Sequence, residues 1–142
     1  MTSFKAVLAL DVGSKRIGVA IASMPAGLAK PLTTLSATDP AFLDKLTTLI
    51  NEQSVTHVVI GWPRGLSGQS TPQTKSAEQF AKLLKSRLKL SIDMQDEALT
   101  SRRAEEELGR RKKPFRPEDI DALAATYILN DWLAEHQEIL HA

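Results

Sequence analysis

The sequence predicts a single α/β domain of 142 residues, in which helices flank a mixed central sheet. Three observations support this fold class. Two strand-like segments near the start are joined by a short polar turn, which favours an antiparallel hairpin. Two later apolar runs each follow a long helical pattern, as parallel strands reached by right-handed crossovers do. The apolar content of 42% is enough for one hydrophobic core at this length.

The amino-terminal part is predicted to be an antiparallel meander. Residues 7–11 and 17–22 form the hairpin, and Pro25 and Gly27 then break the pattern. Residues 30–35 are expected to add the third strand of the meander. This strand is predicted from its place after the hairpin, because its own sequence shows little strand periodicity.

Two helix-strand units follow the meander. Two helices are predicted, at residues 39–51 and at residues 71–89. Each begins with a capping residue that is followed by proline in the first helical position. Each helix leads into a short apolar strand, at residues 57–60 and 92–95. These units supply the parallel part of the sheet.

Two more helices complete the predicted fold. A helix capped by Thr100 or Ser101 is expected to run through Leu108, with Gly109 as its stop signal. After a polar linker between two prolines, the last helix covers residues 118–135. The helices are expected to pack on the central sheet.

The composition excludes several kinds of site. The chain has no cysteine, so disulfides, thiolate zinc sites and thiol nucleophiles are ruled out. No charged-then-apolar leader is recognisable, and no apolar stretch approaches the roughly 18 residues that cross a bilayer. We therefore expect a cytoplasmic protein without membrane partners.

Three acidic residues occupy positions where a carboxylate is costly unless something matches it. Asp11 ends the first apolar strand, and Glu97 lies just past the strand of residues 92–95. Asp121 shares a helical face with the apolar residues four, seven and eleven positions later. That face is expected to press on the sheet. Each acid therefore needs a partner.

Each carboxylate also has an ordinary structural interpretation. Asp11 could accept hydrogen bonds from the turn that follows it, and Glu97 could cap the next helix or pair with a surface lysine. Asp121 could pair with an arginine such as Arg102. The coincidence of three such acids from distant segments favours an oxygen-only ligand set instead. Oxygen ligands suit Mg²⁺ or Mn²⁺, which can drive phosphodiester hydrolysis, so we expect these residues to be catalytic metal ligands.

The net charge is only +1, so affinity for nucleic acid has to come from where the charges lie. Lys15 and Arg16 follow Asp11 in the hairpin turn, where they could hold the backbone beside a scissile phosphate. Arg64 lies in a glycine-containing loop. For that loop, a phosphate-binding role and an ordinary strand-to-helix connection both stay open.

A second basic group lies between residues 102 and 116, with seven basic against three acidic residues, a local balance of +4. Such groups are usually solvated charge runs, but beside a metal site this one would attract polyanions. Phe115 is its only aromatic residue, so stacking on single-stranded bases is not indicated, and structured RNA or a branched duplex is favoured. The residues expected to bind nucleic acid here are Arg102, Arg103, Arg110, Arg111, Lys112 and Lys113.

Four blocks spread over nearly the whole chain form a joint motif: LALDVGSKRIGVAIAS, VVIGWPRGLSGQSTPQTKSAEQFAKLL, QDEALTSRRAEEEL and DIDALAATYILNDWL. Together they resemble the YqgF family of small RNase H-like, RuvC-like nucleases. The resemblance implies a three-layer RNase H-like fold and hydrolysis of phosphodiester bonds with a divalent metal. It also implies trimming of the 5′ end of the 16S ribosomal RNA precursor, with Holliday junction resolution as the alternative. The family's acidic positions fall on Asp11, Glu97 and Asp121.

One position departs from the family pattern D-E-R-L-T-S. Ala98 stands where arginine is usual, so a phosphate contact is either lost or taken over by Arg102 or Arg103. Two other functions stay open at this point. An ATP-binding protein of the actin and sugar-kinase group would share the motif at residues 11–14, although its two-domain nucleotide site needs a longer chain. A nucleic-acid-binding module without catalysis would not need the three carboxylates.

The expected partner is nucleic acid, either structured precursor rRNA or branched DNA. A pre-ribosomal particle is a further candidate partner. The sequence leaves a monomer and a homodimer equally open, although symmetric junction cleavage would need two copies.

Overall fold

The computed structural model describes residues 5–63, 68–97, 100–111 and 113–140. Five strands and five helices are present in these residues. The strands are β1 (Ala6–Val12), β2 (Arg16–Ser23), β3 (Leu28–Ser36), β4 (His57–Pro63) and β5 (Ser91–Glu97). The helices are α1 (Phe42–Glu52), α2 (Pro72–Arg87), α3 (Thr100–Arg110), α4 (Pro117–Glu135) and α5 (Gln137–Leu140).

The strands form one mixed sheet in the order β3-β2-β1-β4-β5. β1 to β3 are the predicted antiparallel meander, while β4 runs parallel to both β1 and β5. The third strand of the meander is therefore confirmed. Its register shifts opposite Val19 and Ala20, close to Pro31. A proline is tolerated there because β3 is an edge strand and one missing N–H group does not break the sheet.

Helices cover the two faces of the sheet and complete a three-layer α/β fold. On one face, Leu8, Leu10 and Ile60 pack with Leu46 of α1 and Leu84 of α2. On the other face, the alternate side chains of the same strands pack against α4. This alternation explains the nearly continuous apolar sequence of β1, because a strand covered on both faces has no solvent side.

α4 is the main structural element of the second face. Its residues Ala125, Ile128 and Trp132 are each 1% exposed or less, which confirms the predicted sheet-facing side of this helix. α3 packs against α4 through Ala104 and Leu108 and extends the same layer. Of the helices in the described part of the chain, none is long and apolar enough to cross a membrane.

The helix ends agree with the sequence signals in some places and not in others. Thr71 caps α2 through a reciprocal capping box with Thr74, as its position before proline predicts. α1 begins at Phe42 rather than beside Asp39, whose side chain instead accepts a hydrogen bond from the Ala41 amide at 2.9 Å. The short helix α5 was not expected.

The predicted stop of α3 at Gly109 is wrong. The helix continues through Gly109 and ends at Arg110. A Cβ atom at Gly109 would meet nothing within 4 Å, so this residue lies on an open helix surface. Glycine is a common helix terminator, but it also fits within a helix at a modest cost.

Candidate active site

Asp11 lies near the end of β1, on the sheet face that α4 covers. Ala9 belongs to the core cluster on that face, and strand alternation places Asp11 on the same side. Among the described residues, the Asp11 carboxylate accepts no hydrogen bond; the following turn closes instead between the Gly13 amide and the Arg16 carbonyl oxygen, 2.9 Å apart. Burial, followed by the charge of Asp121, raises the pKa of Asp11 from 3.8 to about 6.

Asp121 is brought over this region by a close approach of α4 to β2. Gly18 is the antiparallel partner of Asp11. A Cβ atom at Gly18 would collide with the backbone carbonyl oxygen of Asp121, so the approach requires glycine. Gly18 was not singled out from the sequence, although a glycine inside an apolar strand is a signal of close backbone approach.

The carboxylate of Asp121 is held by an arginine of β2. Arg16 Nε donates to Asp121 Oδ2 at 2.5 Å. Among the described side chains the partner is thus Arg16, which extends from the strand directly below the start of α4. The side chain of Arg102, the candidate named from the sequence, lies outside the described residues. The side chain of Arg16 is 41% exposed and that of Asp121 is 18% exposed. Hydrogen bonding and the charge of Asp121 raise the pKa of Arg16.

Glu97 is the last residue of β5, so it lies within the strand rather than just past it. It is 8% exposed, and its Oε1 atom has no hydrogen-bond partner among the described residues. Its Oε2 atom lies 4.0 Å from the Arg103 guanidinium. Burial, followed by the interaction with Asp131, raises the pKa of Glu97 from 4.5 to about 8, while Arg103 opposes the shift. Asp131 of α4 was not recognised from the sequence as a neighbour of Glu97.

The structure brings Asp11 and Asp121 together and leaves Glu97 further away. The registers of β1, β4 and β5 place Asp11 level with Gln95, so Glu97 lies two strands across and two residues further along. At about 4.8 Å between strands and 3.3 Å per residue, the Cα atoms of Asp11 and Glu97 are roughly 12 Å apart. In the described part of the chain, no three His, Asp or Glu side chains are close enough to hold one ion.

The basic residues of the turn and of α3 lie around these acids. Lys15 is exposed in the turn that follows Asp11. Arg103 is half-exposed, and its guanidinium lies 4.5 Å from the centre of the Tyr127 ring while also facing Glu97. The residues that the structure describes do not include Arg64, Ala98 or the side chain of Arg102.

The basic run after α3 is divided between the helix and the linker. Arg110 is the last residue of α3 rather than part of a linker. Arg111 pairs with Glu107 at 2.9 Å, one helical turn earlier. Lys113 is exposed in the linker to α4, and Lys112 lies outside the described residues. Whether these residues bind nucleic acid stays a prediction.

The mixed five-stranded sheet with helices on both faces is an RNase H-like fold. The structure of T. thermophilus RuvC in complex with Holliday junction substrate has this fold, with a TM-score of 0.51. The match covers 92% of this chain and 95% of RuvC at 14% sequence identity, so it shows the fold alone.

The chain belongs to the RuvX family, described as Holliday junction resolvase, whose model matches residues 5–135. RuvX and YqgF are one family, so the resemblance in the sequence is confirmed. A Chloroflexus aurantiacus relative is 40% identical over 131 residues, covering 89% of this chain and 85% of the relative. A Pseudomonas syringae pv. syringae relative is 35% identical and covers 99% of both chains. Both relatives carry the name "Putative pre-16S rRNA nuclease".

Proposed function

We propose that the protein is a metal-dependent endonuclease that hydrolyses a phosphodiester bond at the 5′ end of precursor 16S rRNA. The observation that carries this proposal is the Asp11 and Asp121 pair, two carboxylates on one sheet face, of which Asp11 is partly buried and accepts no hydrogen bond from the described residues. The name of the relatives supports the substrate. Action in the cytoplasm on a pre-ribosomal particle belongs to the same proposal.

The Asp11 and Asp121 pair fits a divalent cation such as Mg²⁺ or Mn²⁺. Both side chains donate only oxygen, and Mg²⁺ is commonly bound by one or two carboxylates together with substrate phosphates and water. Burial disfavours the ionised form of Asp11, a penalty that a cation would offset. When bound, such an ion lowers the pKa of water and stabilises the leaving oxygen.

Glu97 fits the same chemistry from a neighbouring position on this face. Its buried Oε1 atom is without a hydrogen-bond partner in the described structure, which is unusual for a carboxylate oxygen. We assign Glu97 to a second ion or to the outer ligands of the first. Arg103, 4.0 Å away, limits the accumulation of negative charge there.

Arg16 and Lys15 bind and orient the substrate in this proposal. Without a divalent ion, Arg16 neutralises Asp121. The bond to Asp121 uses Nε, so the terminal nitrogens of this partly exposed guanidinium can donate two hydrogen bonds to a phosphate. Lys15, in the adjacent turn, supplies a second cation for the phosphate backbone.

Cleavage of precursor 16S rRNA by purified protein tests the proposal. Wild type is compared with Asp11→Asn and Asp121→Asn in Mg²⁺ and in EDTA, and Asp44→Asn is the matched control because Asp44 is exposed on α1, across the sheet. We expect cleavage in Mg²⁺ by wild type and Asp44→Asn only. Cleavage in EDTA, or full activity of Asp11→Asn, would contradict the proposal.

The role of Arg16 can be separated from that of the carboxylates. Arg16→Gln removes a cation that competes with the divalent ion at Asp121, so we expect Mn²⁺ to bind more tightly to this variant. The same change removes a phosphate contact, so cleavage is expected to be slower. Weaker Mn²⁺ binding by Arg16→Gln would show instead that Arg16 positions Asp121 for the ion.

A second candidate substrate is a four-way DNA junction, which the description of the RuvX family favours. Junction resolution needs two active sites acting together, so it also predicts a dimer. The cleavage assay is repeated on a four-way junction, with the mass of the protein measured by light scattering. Symmetric nicking by a dimer, together with intact precursor rRNA, would favour this function over rRNA processing.

A further inference from the structure

A cavity of about 270 Å³ lies where the linker between α3 and α4 meets the edge of the sheet. Its apolar wall includes Leu108 of α3, Leu123 of α4 and Phe115 of the linker. Phe115 is 38% exposed, one of two large hydrophobic residues left open to solvent among those described. An aromatic ring at the mouth of an apolar cavity is a surface on which a flat ligand can stack.

Basic residues lie in the same cavity as this aromatic ring. Arg111 and Lys113 line the cavity, and the neighbouring Arg116 is mostly exposed. The acidic residue in the wall, Asp119, is already used by the start of α4: its Oδ2 atom accepts a hydrogen bond from the Arg116 amide at 2.8 Å. Arg111 is paired with Glu107 and Arg116 lies 3.9 Å from Asp119, so Lys113 is the cation here that has no ion pair among the described residues. It offers an anionic ligand one ready contact.

The size of the cavity limits what it can hold. Small-molecule sites usually measure about 300–1,000 Å³. A volume of about 270 Å³ falls just below that range, so the space suits a single ring system rather than a whole cofactor. A flat ring attached to phosphates is a nucleotide, for which an aromatic surface and neighbouring cations are the usual combination.

A second cavity, of about 430 Å³, continues the first one along the start of α4. The two share Pro31 of β3 and Asp119 and Ala122 of α4. Ala122 directly follows Asp121, the residue paired with Arg16. The second cavity is also lined by Thr34, whose strand partner Gly18 is the neighbour of Asp11, and by the acidic Glu118. We call the two adjoining cavities the linker groove.

We propose that the linker groove binds a single-stranded stretch of the substrate next to the cleavage site, with one base stacked on Phe115 and the phosphates beside Lys113 and Arg111. This inference rests on the proposed nuclease function and adds a substrate class to it, a nucleic acid with an unpaired flank. It also revises the expectation from sequence that stacking plays no part, because only the structure shows Phe115 exposed beside a cavity.

The test measures binding separately from cleavage. Fluorescence anisotropy in EDTA compares a labelled single-stranded oligouridylate with a labelled blunt RNA hairpin. The variants are Phe115→Ala, Phe115→Leu and Phe115→Tyr, and Leu28→Ala is the matched control because Leu28 is the other large exposed apolar residue of the described chain. Thermal unfolding of each variant confirms that it is folded.

We expect Phe115→Ala and Phe115→Leu to weaken binding of the single strand by about 5-fold or more, the lower end of the effect of losing one stacked base. Phe115→Tyr and Leu28→Ala should bind as wild type does, and hairpin binding should change little. Equal binding of the single strand by Phe115→Ala and wild type would overturn the inference. So would a Phe115→Leu variant that binds normally, since leucine fills the space but cannot stack.

The charged part of the groove is tested by salt dependence. Lys113→Gln should reduce the slope of log K against log salt by about 0.7 for the single strand. Lys82→Gln, on α2 at the opposite face, should leave the slope unchanged. An unchanged slope for Lys113→Gln contradicts the phosphate contact.

Two further results separate this inference from the function on which it rests. If wild type cleaves RNA in Mg²⁺ while Phe115→Ala binds normally, the nuclease function stands and the linker groove proposal is wrong. If an acidic peptide binds in a Phe115-dependent manner and the oligouridylate does not, the groove is a protein interface and the proposal is again wrong.

Discussion

Replacing Asp11 by asparagine should make the metal-free protein more stable at neutral pH. Burial and the charge of Asp121 raise the pKa of Asp11 from 3.8 to about 6, so the folded protein holds this proton more tightly than the unfolded chain. The free energy of unfolding of wild type must therefore fall as the pH rises from 3.8 to 6. With about 1.4 kcal/mol per pKa unit, the loss is about 2–3 kcal/mol. Asparagine cannot ionise, so Asp11→Asn avoids this loss.

Urea denaturation followed by circular dichroism, in EDTA, measures this effect at pH values on either side of the titration. The free energy of unfolding of Asp11→Asn should exceed that of wild type by about 2–3 kcal/mol above pH 6 and by far less below pH 3.8. Asp44→Asn, at an exposed site on the opposite face of the sheet, should follow wild type throughout. A stability difference between Asp11→Asn and wild type that does not depend on pH would refute the argument.

The remaining predictions concern Glu97 and the contact between α4 and β2. Burial and Asp131 raise the pKa of Glu97 from 4.5 to about 8, so wild type should lose stability as the pH rises through this interval, whereas Glu97→Gln should not. Urea denaturation below and above the interval measures the free energy of unfolding of each protein, and Glu105→Gln is the exposed control. Gly18→Ala should destabilise the fold by about 3 kcal/mol or more, because the new methyl group meets the α4 backbone. Gly109→Ala, in open space on α3, should instead stabilise it by about 0.5–1 kcal/mol in the same assay, and equal effects of the two alanines would contradict the close approach.

The layered fold could be predicted because its signals are local. Apolar runs, caps and prolines mark β1, β2, β4, β5 and the helices α1 to α4 within a few residues of their observed bounds, and Thr71 caps α2 as expected. The errors lie where local signals are ambiguous. Glycine often ends a helix, but Gly109 lies inside α3. The helix α1 begins at Phe42 rather than at the predicted Asp39, because the Asp39 side chain accepts a hydrogen bond from the turn before the helix.

The candidate site could be predicted only in part, because its contacts join distant segments. The position of Asp11 at the edge of the core follows from the apolar strand that contains it. The pairing of Arg16 with Asp121 joins residues 105 positions apart and depends on how closely α4 crosses β2. Likewise, Asp131 became a neighbour of Glu97 through the path of α4 across the sheet, which no local pattern specifies.

In the proposed function, Asp11 and Asp121 hold a divalent ion. Titration of Mn²⁺ into the protein, followed by the electron paramagnetic resonance of the free ion, measures this directly and without substrate. We expect wild type and Asp44→Asn to bind Mn²⁺ equally, and Asp11→Asn and Asp121→Asn to bind it at least about tenfold more weakly, a loss of about 1.4 kcal/mol. Equal binding of Mn²⁺ by all four proteins would contradict the account.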